Sequence, residues 1–355
     1  EEKRSLEGER WDAPRLLQSQ RNYCALTQEG TGQFRWLIMD STLLTNAKGV
    51  EVHVHPLGAM IQRLLLPDKN GAKDDVVLGF EETKPYLDGT SPYFGVVVGR
   101  VANRIADSTF AVDGETFKVT PNENGHCLHG GVKGFDKAFW KVKDSSSASQ
   151  SITLTHSSPD GDQGFPGQLD AQVKYTLLDG DATEDGVLVV EMTATANKPT
   201  PVSLAQHSYF NLAGHNKGSD VLGHELRLNA PSYTPVNDTL IPTGQLAPVV
   251  GTPFDFCQGG SADMHTVGER IKQVPGGYDH NFALDTSLPV ASPWCSPPTG
   301  HTFHEAATLR DPTSRRCMRL LATTPGVQFY SGNFLDGSIT TGKGGATYHK
   351  HGGLA

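Results

Sequence analysis

Phe110-Ala-Val-Asp113-Gly-Glu-Thr-Phe117-Lys-Val119 sets two short alternating runs on either side of Asp-Gly. Alternation places Phe110 and Val112 on one face of an extended chain. Asp-Gly tolerates the positive φ that a two-residue hairpin turn demands. The same grammar recurs outward in Val50–His55, Ala59–Leu65, Val76–Leu78, Ile152–Thr155, Gln172–Leu177 and Val187–Ala194. All are strand-length, and the connectors are turn chemistry such as Asp68-Lys-Asn-Gly71 and Asp160-Gly161. No sustained 3.6-residue apolar period with caps appears, and no fixed-period repeat argues for a propeller or solenoid. The expected fold is all-β, one large antiparallel β-sandwich.

Composition narrows the function. The 355 residues carry 30 Lys and Arg against 39 Asp and Glu, a net charge of −9. Nucleic acids and anionic membranes select a basic excess, so neither is an expected partner. No aliphatic run approaches the ~18 residues needed to span a bilayer, so no membrane insertion is expected. Five separated cysteines, Cys24, Cys127, Cys257, Cys295 and Cys317, form no CxxC pair, which makes a reducing, cytoplasmic compartment the default. The first residue is Glu1, so a secreted or organellar protein with a removed leader stays open. Residues 1–30 lack periodicity and read as an N-terminal extension; residues 31–355 form the domain.

Several clusters hold chemistry. His53-Val-His55 and His349-Lys-His351 each put two imidazoles on one strand face, but no following carboxylate completes a metal set. Solvent-facing strand histidines with no metal are the preferred reading. In Pro201-Val-Ser-Leu-Ala-Gln-His207-Ser-Tyr209-Phe-Asn211-Leu-Ala-Gly214, alternation lines His207, Tyr209 and Asn211 along one face, suited to a polyhydroxylated ligand and to proton exchange. Arg104 in Gly99-Arg-Val-Ala-Asn103-Arg104-Ile105 offers a donor fork. In Asn124-Gly-His-Cys-Leu128-His129-Gly130-Gly131 paired glycines let the backbone close in beside an imidazole, without P-loop spacing. Gly277-Tyr-Asp279-His-Asn-Phe282 sets an acid among hydrogen-bonding neighbours. In Gly326-Val-Gln328-Phe-Tyr330, Gln328 and Tyr330 share a face.

Taken together, Val98-Gly-Arg-Val-Ala-Asn-Arg-Ile105, Leu128-His-Gly-Gly131, His207–Gly214, Asp279-His-Asn-Phe282 and Gln328-Phe-Tyr-Ser-Gly-Asn-Phe-Leu-Asp-Gly337 resemble the aldose 1-epimerase (galactose mutarotase) family. Asp74-Asp-Val-Val-Leu-Gly-Phe80 and Leu240-Ile-Pro-Thr-Gly244 extend the resemblance, which runs in family order from about Gly32 to the end. It implies a β-sandwich with a sugar cleft, and cofactor-free interconversion of the α and β anomers of an aldohexose such as galactose or glucose. By the same resemblance His207 is the general acid on the ring oxygen, and His129 belongs to the catalytic pair of imidazoles while also holding hydroxyls. Asn103, Arg104 and Asp279 orient the ring, and Gln328 and Tyr330 line the cleft. The family's general base is a Glu, expected about two residues beyond Ala355, followed by final strands. On that expectation a sheet edge lies open, and a protein partner would cover it. The alternative is a non-catalytic sugar-binding or scaffold module of the same fold that has lost its base. A sugar-phosphate epimerase is disfavoured by the acidic balance, and no pair of carboxylates for glycoside hydrolysis is identifiable by spacing.

Overall fold

A computed structural model describes residues 40–257, 264–287 and 289–355 with their side chains, and the strands Tyr23–Gln28 and Phe34–Ile38 as backbone. The expected extension, residues 1–30, lies outside the described residues except for Tyr23–Gln28. The chain falls into a small unit, Glu1–Asp40, in which those two strands pair antiparallel, and a large unit, Ser41–Ala355.

The Asp113-Gly114 hairpin forms as its chemistry requires. Thr109–Val112 pairs with Glu115–Lys118, Val112 opposite Glu115, and both turn residues have positive φ, 52° and 81°. Larger antiparallel sheets repeat the principle. One runs Thr42–Thr45, Glu51–His55, Met60–Pro67, Lys73–Asp75 in sequence order. Another runs Lys141–Ser146, Ser151–Ser158, Leu169–Leu178, Val187–Ala196, again neighbour to neighbour. Two more cross the sequence: His265–Thr266, Glu225–Leu228, His304–Arg310, Cys317–Ala322, and Ala247–Pro248, Ser232–Tyr233, Asp279–Ala283, Gly326–Tyr330. The single α-helix among the described residues is the one turn Lys84–Leu87.

Alternation becomes packing in Leu169–Leu178, where Leu169, Ala171, Val173, Tyr175 and Leu177 are all buried. They meet Val52, Val54 and Ile61 of the first sheet and Leu226 and Leu309 of the third in one continuous core. The Tyr175 hydroxyl donates to the Ala59 carbonyl at 2.7 Å, so the buried phenol is satisfied where the layers meet. A second core under the cleft joins Leu78, Phe80, Phe94, Val96, Tyr209, Tyr330 and Tyr348.

One expectation is overturned here. His55 is not solvent-facing: it is fully buried, and its Nδ1 accepts the Leu57 N–H at 3.0 Å. Alternation fixes only which residues share a face, and both faces of this strand are covered. His349 is exposed, whereas His351 is half-buried with Nδ1 2.6 Å from the Ser331 carbonyl.

Candidate active site

Five chain segments carrying these candidates converge on one cleft. The extended run 205–211 lies beside Val97–Val98, bonded from Ala205 to Val98 and from Gln206 to Val97. Arg104–Ile105 pairs with Cys127–Leu128, so Asn103 and His129 flank the same short ladder. Asp279–Ala283 pairs with Gly326–Tyr330, with Asp279 opposite Tyr330 and Asn281 opposite Gln328. The structure thus brings Asn103, Arg104, His129, His207, Asp279, Gln328 and Tyr330 to one neighbourhood.

The backbone there is unusual. Tyr93, Asn103 and His129 all have left-handed φ, 65°, 64° and 52°, at non-glycine positions. Such conformations cost about 1–3 kcal/mol each and persist where surrounding contacts over-determine them. Those contacts are visible: the Asn103 N–H donates to His129 Nδ1, and the His129 N–H to the Asn103 carbonyl, both at 3.0 Å. The next residue, Gly130, has φ +91°, and a Cβ there would stand 1.8 Å from the Gly99 carbonyl oxygen. Only glycine lets the His129 loop seat against the strand that leads to Asn103.

Because Nδ1 of His129 is an acceptor, a neutral ring carries its proton on Nε2. Burial first, then the neighbouring His207 and Arg104, hold this ring well below the usual imidazole range. The two imidazoles meet edge to face, centroids 5.1 Å apart, and Tyr93 packs on both, 4.6 Å from His129 and 5.8 Å from His207. Burial lowers His207 to about 4, and its buried Nδ1 has no partner among the described residues. Tyr209 stacks on His207 at 5.3 Å and Tyr330 meets Tyr209 edge-on at 5.8 Å, forming an aromatic floor. Burial pushes the Tyr330 phenol up to about 12, so it stays protonated at neutral pH, and its oxygen accepts the Phe334 N–H at 2.8 Å.

The polar wall opposite is continuous. Arg104, its side chain 7 % exposed, forks onto Glu123 through Nε and Nη2 at 2.6 and 2.9 Å. Its Nη1 donates to Asn103 Oδ1 at 3.3 Å, Asn103 Nδ2 to Gln328 Oε1 at 3.0 Å, and Gln328 Nε2 to Asp279 Oδ1 at 2.8 Å. Burial raises the Asp279 carboxyl above its ordinary value, while the Gln328 bond opposes that rise. Thr234, Leu240, Pro242 and Asn281 close this side of the cleft.

Asn211 does not join the site. It is 1 % exposed, and its amide donates to the Ser219 and Gly352 carbonyls, both at 3.0 Å. Conversely, Glu123, which holds Arg104, and Tyr93, which packs on both imidazoles, were not singled out from the sequence. Glu123 stands one residue before the Asn124-Gly125 turn, so a search for an acid flanking that turn would have found it. Tyr93 carries no comparable local signal. No group of three or more potential metal ligands occurs among the described residues.

A model of the aldose 1-epimerase family matches residues 40–355. The chain belongs to the aldose 1-epimerase family. This epimerase is 42 % identical over 305 residues to the galactose mutarotase of Homo sapiens, covering 86 % of this chain and 81 % of that protein. It is 35 % identical over 299 residues to the aldose 1-epimerase of Escherichia coli, covering 84 % and 80 %. Among solved structures, an aldose epimerase homologue from C. elegans superposes with a TM-score of 0.74 at 29 % identity, covering 89 % of this chain and 88 % of that one. The galactose 1-epimerase of Lactobacillus acidophilus superposes at 0.70 and 23 % identity, covering 94 % and 88 %, which extends the likeness of fold. The epimerase is thus an isomerase of sugars on an antiparallel β-sandwich, as the motifs led us to expect, and no described helix is long and apolar enough to cross a membrane.

Proposed function

We propose that His207 is the general acid of anomer exchange on an aldohexose such as galactose or glucose, with His129 beside it in the catalytic pair. Asn103, Arg104, His129, Asp279, Gln328 and Tyr330 hold the sugar. Opening a pyranose requires a proton delivered to the ring oxygen while another leaves the anomeric hydroxyl. Rotation about C1–C2 and reclosure with the roles exchanged then yields the other anomer. The observation that carries this reading is the buried His207 imidazole, its Nδ1 unpartnered among the described residues, packed against His129 and Tyr93 over an aromatic floor.

A ring held near 4 is neutral at pH 7, so an acid at His207 requires an anionic neighbour that lifts its affinity for the proton. Leu354 and Ala355 lie between two segments of the cleft. Phe210 and Leu354 exchange backbone bonds, as do Tyr330 and Ala355. The four described free cysteines suit a cytoplasmic setting.

The test is polarimetry of α-galactose with His207→Ala in the full-length protein. We expect a fall of roughly 10²–10⁴ in kcat with an unchanged circular dichroism spectrum. A rate within a few-fold of the parent would overturn the assignment.

A further inference from the structure

Residues 235–243 reach the cleft as a hairpin of their own. Val236 and Pro242 form a bridge, the Asn237 N–H donates to the Ile241 carbonyl and the Thr243 N–H to the Pro235 carbonyl, both at 2.9 Å. The tip is gathered on one amide oxygen: Asn237 Oδ1 accepts the N–H groups of Thr239 and Ile241, both at 3.0 Å, and the Thr239 hydroxyl at 2.9 Å. Between those two N–H groups Leu240 is held at φ 62°, a left-handed conformation that a non-glycine residue keeps only under constraint. Val236, Leu240 and Pro242 are the aliphatic lining of the pocket that Arg104, Asp279 and Gln328 line with polar groups. A sugar carries hydroxyls at its rim and C–H groups on its faces. With the hydroxyls bonded to the polar residues, C–H groups meet the aliphatic ones and both leave water.

Among the described residues, one hydrogen bond joins 235–243 to the chain outside the hairpin, from His126 Nε2 to Thr239 Oγ1 at 3.1 Å. Its polarity follows from the neighbours. The Thr239 hydroxyl gives its single proton to Asn237, so Oγ1 accepts and Nε2 donates. On the other side of the ring Nδ1 accepts the Asp107 N–H at 2.9 Å, so a neutral imidazole carries its proton on Nε2, where the bond to Thr239 needs it. His126 is itself a fixed post. It is 7 % exposed, its N–H donates to the Glu123 carbonyl at 2.7 Å, and its carbonyl accepts the Asn122 N–H at 3.0 Å.

We propose that Leu240 is a further substrate-binding residue of the cleft, and that His126, acting through Thr239, is the positioning residue that holds it there. This rests on the reading of the polar residues of the same pocket as sugar contacts. Without the His126 bond the hairpin is tied to the domain by hydrogen bonds only at its base. Each binding event must then order the tip, which weakens binding and leaves the reacting atoms untouched.

The experiment measures KM and kcat for α-galactose by polarimetry in the full-length parent, Leu240→Ala, His126→Ala, His126→Gln, Thr239→Val and the double variant His126→Ala/Thr239→Val, with Asp279→Asn as a marker of the pocket. Leu240→Ala is expected to raise KM about 3- to 10-fold with kcat within about threefold, the pattern of a lost ground-state contact. His126→Ala and Thr239→Val each raise KM about 3- to 10-fold, and the double variant no more than either single one, because both break the same bond. His126→Gln, which keeps an N–H donor, stays within about twofold of the parent. Thr239 is exposed, so Thr239→Val carries the test should His126→Ala fold poorly. KM increases that multiply in the double variant overturn the role of His126, and a Leu240→Ala KM within about twofold of the parent overturns the contact. If Asp279→Asn raises KM while every hairpin variant leaves it unchanged, this inference fails alone; if Asp279→Asn also leaves it unchanged, the reading of the polar wall fails with it.

Discussion

A buried carboxamide can recognise a ligand or staple a chain, and its neighbours decide which. Asn211 satisfies two carbonyls more than a hundred residues apart in reach, Ser219 and Gly352, while its own Oδ1 accepts the Ala213 N–H at 3.1 Å. Asn211→Ala leaves both carbonyls without that donor, and we expect a loss of about 1–3 kcal/mol, read as a lower urea midpoint. An unchanged midpoint removes the staple. Sequence placed Asn211 beside His207 and Tyr209 because parity along an extended chain is all that alternation reports. It cannot say where the strand leaves the cleft and enters the core. That the candidate residues gather at one cleft was legible through motifs of four to ten residues; the hydrogen bond linking Asn103 to Gln328, 225 positions away, was not.

At the scale of elements, what was legible is what is local. Asp113-Gly114 announces its hairpin because turn and both strands lie within a dozen residues. Pairings such as Glu225–Leu228 with His304–Arg310 leave no such trace, since they are chosen by burial across distant segments. One long-range tie is ionic. Lys343, fully buried in the 3₁₀ turn Lys343–Gly345, donates to Asp75 Oδ2 at 2.6 Å and to the Gln62 carbonyl at 2.7 Å. It pins that turn to the strands Met60–Pro67 and Lys73–Asp75. Lys343→Met strands Asp75 in the interior, with Arg63 3.8 Å away as a weaker partner. We expect a loss of about 3–5 kcal/mol by thermal or chemical denaturation. A loss below 1 kcal/mol would show that the turn is held by packing alone.

For the molecule as a whole, the histidines set the response to acid. Burial lowers His207, His215 and His280 to about 4, against an ordinary 6.5. Between those values the unfolded chain binds more protons than the folded one, so acid favours unfolding. The stability gained by keeping the rings neutral is fully present above about pH 6.5 and drains as pH falls toward 4. For His215, 8 % exposed, the slope is about 1.4 kcal/mol per pH unit. Carboxylates held low, such as Asp74 and Asp311, add their loss only below about 3.8. Denaturation midpoints should therefore already fall between pH 7 and pH 5, and a flat profile there would contradict this account. The tie between Asp75 and Lys343 also bears on how the chain is made. They lie 268 residues apart, and a ribosome adding about 5–20 residues per second takes roughly 10–50 s to supply the lysine after the aspartate. For that interval the nascent first sheet holds Asp75 with Arg63, the weaker partner 3.8 Å away, as its only cation among the described residues, so completion of this layer awaits the Lys343 turn, and the growing polypeptide is a natural client for chaperones.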